Sequence, residues 1–96
     1  MEKRKAYEEK LAAQLDEWRA LVAVFQAKAD KATAQAKIEQ CEIADSLWHK
    51  HDEARLQLAS LRGAGNDAWE ELKRGTENAW TDLRAAFLSA ASRFGN

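Results

Sequence analysis

The sequence predicts an all-α protein made of amphipathic helices, and three observations support this fold class. The 96-residue chain contains no proline, and its first two thirds are rich in strong helix formers. Two rows of apolar residues repeat every eleven positions, which is three helical turns at about 3.67 residues per turn. The first row is Leu47, Leu58, Trp69, Trp80 and Ala91, and the second is Leu61, Leu72, Leu83 and Phe94.

The first predicted helix covers about residues 3–62, because neither proline nor glycine interrupts this span. A straight helix of this length would measure about 90 Å. Its apolar seam alternates spacings of three and four residues, as in a coiled coil. The seam consists of Leu11, Leu15, Trp18, Val22, Phe25, Ala29, Ala32 and Ala36, followed by Ile43, Leu47, Ala54, Leu58 and Leu61.

A turn is predicted at residues 63–66, where two glycines and an asparagine interrupt the helical pattern. We expect Gly63 to adopt the left-handed conformation that ends many helices. Asp67 and Glu70 have the spacing of a capping box, which predicts a second helix over residues 67–94. Gly95 is the expected C-terminal cap of that helix.

Two architectures of a single helical domain, residues 1–96, follow from these elements. If the first helix is straight, the second folds back along residues 35–62 as a helical hairpin and leaves the seam of residues 7–25 without a partner in its own chain. This arrangement predicts an oligomeric coiled coil, which we expect to be a homodimer. If the first helix breaks near Ala32 or Thr33, segments 3–31, 34–62 and 67–94 form a monomeric three-helix bundle. The sequence favours the straight helix, because neither glycine nor proline marks the bend.

Charge and composition exclude several classes of protein. The chain has 15 Lys and Arg against 16 Asp and Glu, so it lacks the basic excess of a nucleic-acid binder. Its longest apolar run, residues 20–25, is far shorter than the roughly 20 residues that span a bilayer. The N-terminus has no apolar signal-peptide stretch, and the single cysteine, Cys41, agrees with a reducing compartment. We therefore expect a cytoplasmic protein.

One group of residues has the chemistry of metal ligands. Cys41, Asp45, His49 and Glu53 are spaced four apart, which places them on one helical stripe. Two or three ligands from one straight helix do not enclose zinc or copper without a second element. The sequence therefore predicts no metal and no cofactor.

His51 and the serines are the remaining residues whose chemistry could serve a function. His51 lies near the seam, and we favour a partly exposed histidine over a pH-sensitive packing residue. The serines have no His and carboxylate arrangement of a catalytic triad, and the chain has no glycine-rich phosphate loop. We therefore predict that the protein is not an enzyme.

The Ala-Trp pairs at 68–69 and 79–80 stand eleven residues apart. These pairs, together with several charged helical segments, resemble small bacterial coiled-coil proteins that are grouped as stress-response proteins. The resemblance covers about residues 7–94, and it implies a helical, stress-associated protein without defined catalytic residues. The segments that carry it are YEEKLAAQLDEW (7–18), AKADKA (27–32), AKIE (36–39), DAWEELK (67–73), AWTDL (79–83), AF (86–87) and SRF (92–94).

The favoured function is that of a structural or interaction protein, which forms a helical oligomer or docks a helical protein partner. The alternative is an amphipathic binder of lipid or of a hydrophobic granule surface, using the aromatic residues of 67–94. The polar face of that segment mixes both signs of charge, which does not favour anionic membranes. The predicted interaction residues are Leu11, Leu15, Trp18, Val22, Phe25, Ile43, Leu47, Leu58, Leu61, Trp69, Leu72, Trp80, Leu83 and Phe87.

Overall fold

Three α-helices of equal length form the protein, whose computed structural model describes residues 2–94. They are α1 (Glu2–Asp30), α2 (Ala34–Arg62) and α3 (Asn66–Phe94), each of 29 residues. No strand occurs within residues 2–94, so the predicted all-α class is confirmed. The expected cap at Gly95 lies outside the described residues.

The helices pack antiparallel in chain order, and α2 lies closely against both α1 and α3. The Cα envelope measures 51 × 18 × 18 Å, so the bundle is about one helix long, since 29 residues span about 44 Å. α1 and α3 run parallel to each other and approach less closely than either approaches α2. The arrangement agrees with a three-helix bundle.

The prediction of one straight helix over about 3–62 is wrong, because the chain reverses at residues 31–33. Thr33 has extended backbone angles, φ −61° and ψ 158°, and caps the start of α2. Its Oγ1 accepts a hydrogen bond from the Ala36 N–H at 3.4 Å, and its carbonyl accepts one from the Lys37 N–H at 2.8 Å. Threonine is a favoured N-cap residue, so the break uses side-chain capping in place of glycine or proline.

Burial of the N-terminal seam explains why the helix breaks. Val22 and Phe25 are buried in the core of their own chain, and Trp18 packs against it. Burying one such apolar side chain is worth roughly 1.5–3 kcal/mol. The few backbone hydrogen bonds given up at a turn contribute only about 0.5–1.5 kcal/mol each. The seam that the straight helix would leave open is therefore covered without a second copy, and the reason for expecting a homodimer no longer holds.

The second turn, residues 63–65, differs in detail from the prediction. Gly63 has φ −84° and ψ −4°, so the expected left-handed conformation is wrong. The Gly65 carbonyl accepts hydrogen bonds from the N–H groups of Ala68 and Trp69, and α3 begins at Asn66. Asp67 therefore lies inside the first turn, where its charge favours the helix dipole, and does not act as the N-cap.

The buried residues of each helix repeat every seven positions and form one core. The eleven-residue rows follow this core only in part, since Ala91, the last member of the first row, is exposed. Ala44 is fully buried, whereas the predicted seam residue Ile43 is half-buried. The core rows are Leu11, Trp18, Phe25 and Leu15, Val22, Ala29 on α1, Ala44, His51, Leu58 and Leu47, Ala54, Leu61 on α2, and Trp69, Thr76, Leu83, Ala90 with Trp80, Phe87, Phe94 on α3.

The role of Thr33 in ending the first helix can be measured. Thr33→Ala removes the hydrogen bond to the Ala36 N–H, so we expect the free energy of unfolding to fall by about 1 kcal/mol. The matched control is Thr81→Ala, whose exposed hydroxyl bonds only within α3, to the Glu77 carbonyl. Urea unfolding followed by circular dichroism measures both variants. Equal loss of stability in the two variants would contradict the capping role.

Candidate interaction surface

A set of aromatic rings joins α1 to α3, and we call it the aromatic ladder. Each rung pairs a residue of α1 with a residue of α3 that stands 62 positions later in the chain. The constant separation fixes the register of the two parallel helices. The rungs are Tyr7–Trp69, Trp18–Trp80 and Phe25–Phe87, with centroid distances of 5.7, 5.9 and 6.3 Å, and diagonal contacts link Trp18 to Phe87 at 5.7 Å and Phe25 to Phe94 at 4.9 Å.

The fourteen interaction residues predicted from the sequence all belong to the core of the bundle. Eleven of them are buried, and Trp18, Ile43 and Leu72 are half-buried and pack against the others. They contact helices of their own chain in this fold, and so they do not form an open surface. A docking surface would therefore have to consist of exposed residues outside this set.

A polar cluster around Arg4 holds one end of the bundle together. Trp69 Nε1 donates a hydrogen bond to Glu8 Oε2 at 2.9 Å, and Arg4 Nε donates to the same oxygen at 3.1 Å. A second Arg4 nitrogen donates to the carbonyls of Leu61 at 3.2 Å and Ala64 at 2.6 Å. The guanidinium therefore ties α1 to the C-terminus of α2, where the helix dipole favours a positive charge.

Electrostatics around Glu8 reinforce this cluster. Burial acts to raise the pKa of the Glu8 carboxyl, but the hydrogen bonds from Trp69 and Arg4 and the positive charges of Arg4 and Arg62 act against it. The net result is a pKa below the ordinary value of 4.5, so the carboxylate form is favoured. Arg4 and Glu8 form a local pair four residues apart, but nothing in the local sequence indicates the bond to Trp69, which lies 61 residues away.

An open groove of about 490 Å³ lies beside this cluster. Two of its three cationic groups are already engaged. Arg4 binds Glu8, and the Lys73 ammonium lies 5.0 Å from the Tyr7 ring centroid and 5.6 Å from that of Trp69. Burial and the charge of Glu77 raise the pKa of Tyr7. These contacts hold side chains of α1 and α3 against each other. The groove is lined by Lys3, Arg4, Tyr7, Asn66, Trp69, Glu70 and Lys73.

His51 is buried between α1 and α2, so the favoured prediction of a partly exposed histidine is wrong. Its Nε2 lies 2.9 Å from the Leu15 carbonyl oxygen, which requires that Nε2 carries the proton. The Trp48 ring meets the imidazole edge-on, with centroids 6.1 Å apart. The fold buries His51 because the α1 seam packs on α2, which the straight helix would have prevented.

The candidate metal ligands remain spread along one face of α2. Cys41 is half-buried, whereas Asp45, His49 and Glu53 are exposed. His49 Nε2 and Glu53 Oε1 lie 2.9 Å apart. Within residues 2–94, no three potential ligands come together in a way that could hold a metal ion.

Two uncharged segments lie near the C-terminal ends of α1 and α3. Residues 20–27 of α1 and 85–92 of α3 contain no charged side chain, although 32% of the chain is charged. The ladder rung between Phe25 and Phe87 belongs to both segments and places them side by side. We call the outward-facing residues of these two segments the uncharged band.

The band is apolar as well as uncharged. Leu21, Val24 and Leu88 expose 45%, 49% and 69% of their surface. Gln14 and Thr81 line the groove between α1 and α3, and Leu21 and Leu88 lie seven residues further along each helix, on the same two faces. The other exposed members of the band are Ala20, Ala23, Ala27, Ala85, Ser89, Ala91 and Ser92.

Two other exposed apolar residues, Ile38 and Leu56, lie apart from each other on α2 and are 70% and 58% exposed. Single exposed apolar residues are ordinary on protein surfaces, whereas a contiguous patch often marks an interaction site. The sequence signal for the band is the pair of eight-residue uncharged segments. In the sequence, only residues 20–25 of the first segment stand out as an apolar run.

No helical segment within residues 2–94 combines the length and apolar character needed to cross a bilayer. Comparisons with protein-family models, with curated proteins and with solved structures find no match to this chain. The resemblance to stress-response proteins therefore stays an expectation.

Two tryptophans test the contribution of the Glu8 cluster. Trp69→Phe removes the hydrogen bond to Glu8, whereas Trp80 Nε1 is buried and has no hydrogen-bond partner among the described residues. Hydrogen bonds to charged groups contribute about 1.5–3 kcal/mol, so Trp69→Phe should lower the free energy of unfolding more than Trp80→Phe, by about that amount. Urea denaturation of the two variants measures the difference. The reverse order would show that the Trp69 hydrogen bond does not stabilise the fold.

The Glu8 carboxylate should also make stability depend on pH. Because its pKa is lowered on folding, its stabilising effect is present above pH 4.5 and is lost as the pH falls through the lowered value. We therefore expect Glu8→Gln to reduce the free energy of unfolding at neutral pH and to have a smaller effect in acid. Urea unfolding of both proteins at about pH 7 and pH 3 provides the measurement. A difference that does not change with pH would contradict this assignment.

Proposed function

We propose that this protein is a non-enzymatic interaction module, a helical bundle that docks a partner through the uncharged band. The observation that carries the proposal is the exposure of Leu21, Val24 and Leu88 on two uncharged segments that the Phe25–Phe87 contact places side by side. Burying such side chains against a partner would be favourable, since apolar area gains about 25 cal/mol per Å². The band thus takes the place of the interaction residues predicted from the sequence.

The packing of the core supports a partner that binds a preformed surface. Val22, Leu47 and Leu83 are almost completely buried within one chain, so a second chain is not needed to cover them. The homodimer expected from the sequence stays a prediction, and the band is now the surface through which it would form. Association with stress rests only on the resemblance, and a cytoplasmic location only on composition.

Contacts within the bundle support a role without catalysis. Arg4, Glu8 and Trp69 satisfy one another and two backbone carbonyls. The His51 imidazole bonds the Leu15 carbonyl. Titratable groups of this kind hold helices together, and a catalytic group would need access to a substrate.

The positions of the aromatic residues in the fold support lipid binding less well than their pattern in the sequence does. The aromatic residues expected to contact a lipid surface, Trp69, Trp80 and Phe87, are buried, and Phe94 is half-buried. Any contact with lipid would have to use the aliphatic side chains of the band. The band has no exposed aromatic residue of the kind that anchors interfacial helices.

Site-specific crosslinking in the native cells tests the proposed function. A photoreactive phenylalanine analogue at position 88 should form adducts, because Leu88 is the most exposed large residue of the band. The matched control places the analogue at Leu56, which is similarly exposed but lies on α2. We expect discrete adducts from position 88 and few from position 56.

The mass of each adduct shows whether the crosslinked molecule is a second copy of this chain, another protein or a lipid. Leu88 itself can be replaced without disturbing the core, since it points away from the buried row. The absence of adducts from position 88, or equal adducts from both positions, would contradict the proposed function.

A further inference from the structure

We infer that the partner of the band is a second copy of this chain, packed so that α1 of one copy lies antiparallel on α1 of the other. This inference rests on the proposed function and names its partner. Four exposed side chains of α1 carry it, and we call them the α1 stripe. They are Glu17, Leu21, Val24 and Lys28.

The α1 stripe lies on the face that α1 shares with α3. Lys10 and Gln14 line the groove between these two helices. Each member of the stripe follows one of these residues by seven or fourteen positions, so the stripe continues the same face of α1. The apolar members, Leu21 and Val24, expose 45% and 49% of their surface. The stripe is therefore open to a partner along its whole length.

The stripe is complementary to itself in the antiparallel direction. Its spacings are four, three and four residues, its inner members are apolar, and its ends carry opposite charges. A two-fold axis at the middle of the stripe places Leu21 opposite Val24 of the second copy. The same axis places Glu17 opposite Lys28 of the second copy. In a parallel pair in register, by contrast, each charged end would meet its own like charge, which opposes association.

Both charged ends are available for this pairing. Glu17 and Lys28 are exposed, and neither forms an ion pair within 4.0 Å with another described residue. The antiparallel dimer would contain two contacts between them, one on each side of the axis. Charge pairs at the rim of an interface set orientation and register more than they add affinity.

The same axis fits the part of the band that lies on α3. The 62-residue register of the aromatic ladder places the axis between Arg84 and Ala85 on that helix. Leu88 then lies opposite Thr81 of the second copy, and Thr81 lines the groove between α1 and α3. One axis thus brings all three large exposed apolar residues of the band into the interface.

The Arg84 charge opposes this dimer. Arg84 stands next to the axis, so the two copies of its side chain would approach each other, and like charges across an interface weaken association. Glu77 lines the same groove and offsets part of this charge. Removing the Arg84 charge should therefore strengthen the dimer.

The overlap of the two copies is small, which makes the dimer reversible. With the axis at the middle of the stripe, residues 15–30 of the two α1 helices overlap over about 24 Å. Across the 18 Å width of the bundle, this overlap covers roughly 430 Å² on each chain. Stable complexes bury about 800 Å² per partner, so we expect a weak dimer.

Sedimentation equilibrium of the full chain tests the dimer, over concentrations from about 10 μM to about 1 mM. We expect a monomer–dimer equilibrium that weakens as salt increases, because its charge pairs are exposed. Leu21→Glu and Leu88→Glu should each weaken the dimer at least tenfold, and the matched control Leu56→Glu on α2 should change it less than twofold. Arg84→Gln should tighten it at least twofold. Circular dichroism and melting temperature of each variant confirm that the bundle remains folded.

Charge exchange tests the orientation. Glu17→Lys alone or Lys28→Glu alone gives both ends of the stripe the same charge, so each variant should dimerise at least tenfold less tightly. An equimolar mixture of the two variants should recover the dimer, because every contact then joins opposite charges again. The double variant Glu17→Lys with Lys28→Glu should dimerise as the unchanged chain does. In a parallel pair, like charges already meet in the unchanged chain, so neither single change would weaken association.

The outcomes separate this inference from the proposed function. A mass of one chain at every concentration would overturn the second copy as partner. So would a dimer that the single charge changes leave intact, that Arg84→Gln weakens, or that Leu56→Glu weakens as much as Leu88→Glu does. In a chain that stays monomeric, adducts between position 88 and another protein would leave the proposed function standing. If the chain stays monomeric and position 88 forms no adduct in cells, both the inference and the proposed function are wrong.

Discussion

The aromatic ladder between α1 and α3 is the contact on which the rest of the structure depends. α2 packs closely on both neighbours, whereas the rings of residues such as Trp18 and Phe87 bridge the wider gap between the two parallel helices. Aromatic pairs bury large area and favour tilted or edge-on geometry. Their fixed register also sets which outward faces of α1 and α3 lie side by side, and so it creates the uncharged band.

The break at residues 31–33 shows how tertiary burial overrides local preference. Good helix formers surround Thr33, and a continuous helix satisfies the backbone on both sides of it. The competing fold gives up a few of those hydrogen bonds and buries Val22 and Phe25 against α3 and α2. Since the buried area is decisive, the capping ability of Thr33 only fixes where the chain turns.

Much of the fold could be predicted from the sequence, and the features that could not be predicted have physical causes. Apolar spacing identified nearly all of the core, and the second turn followed from its glycines. The preference for a straight helix failed because the absence of glycine and proline was given more weight than the burial of the N-terminal seam, and Thr33 fixes only the position of the turn. The cluster of Arg4, Glu8 and Trp69 was not predictable, since it joins residues about sixty positions apart. The uncharged band was predictable only in part. Residues 20–25 stand out in the sequence as an apolar run, but their outward face is defined only when α3 lies beside them.

The two ends of the bundle differ in how firmly they are held, which has a consequence for local unfolding. At one end, Arg4 bonds α1 to the C-terminus of α2. At the other end, residues 34–43 of α2 include no fully buried side chain. Segments with few buried contacts open at low free energy, so amide hydrogens there should exchange sooner than those around Leu58. The band lies toward this less stable end, and occupation of the band would therefore slow hydrogen exchange well beyond the residues that a partner touches.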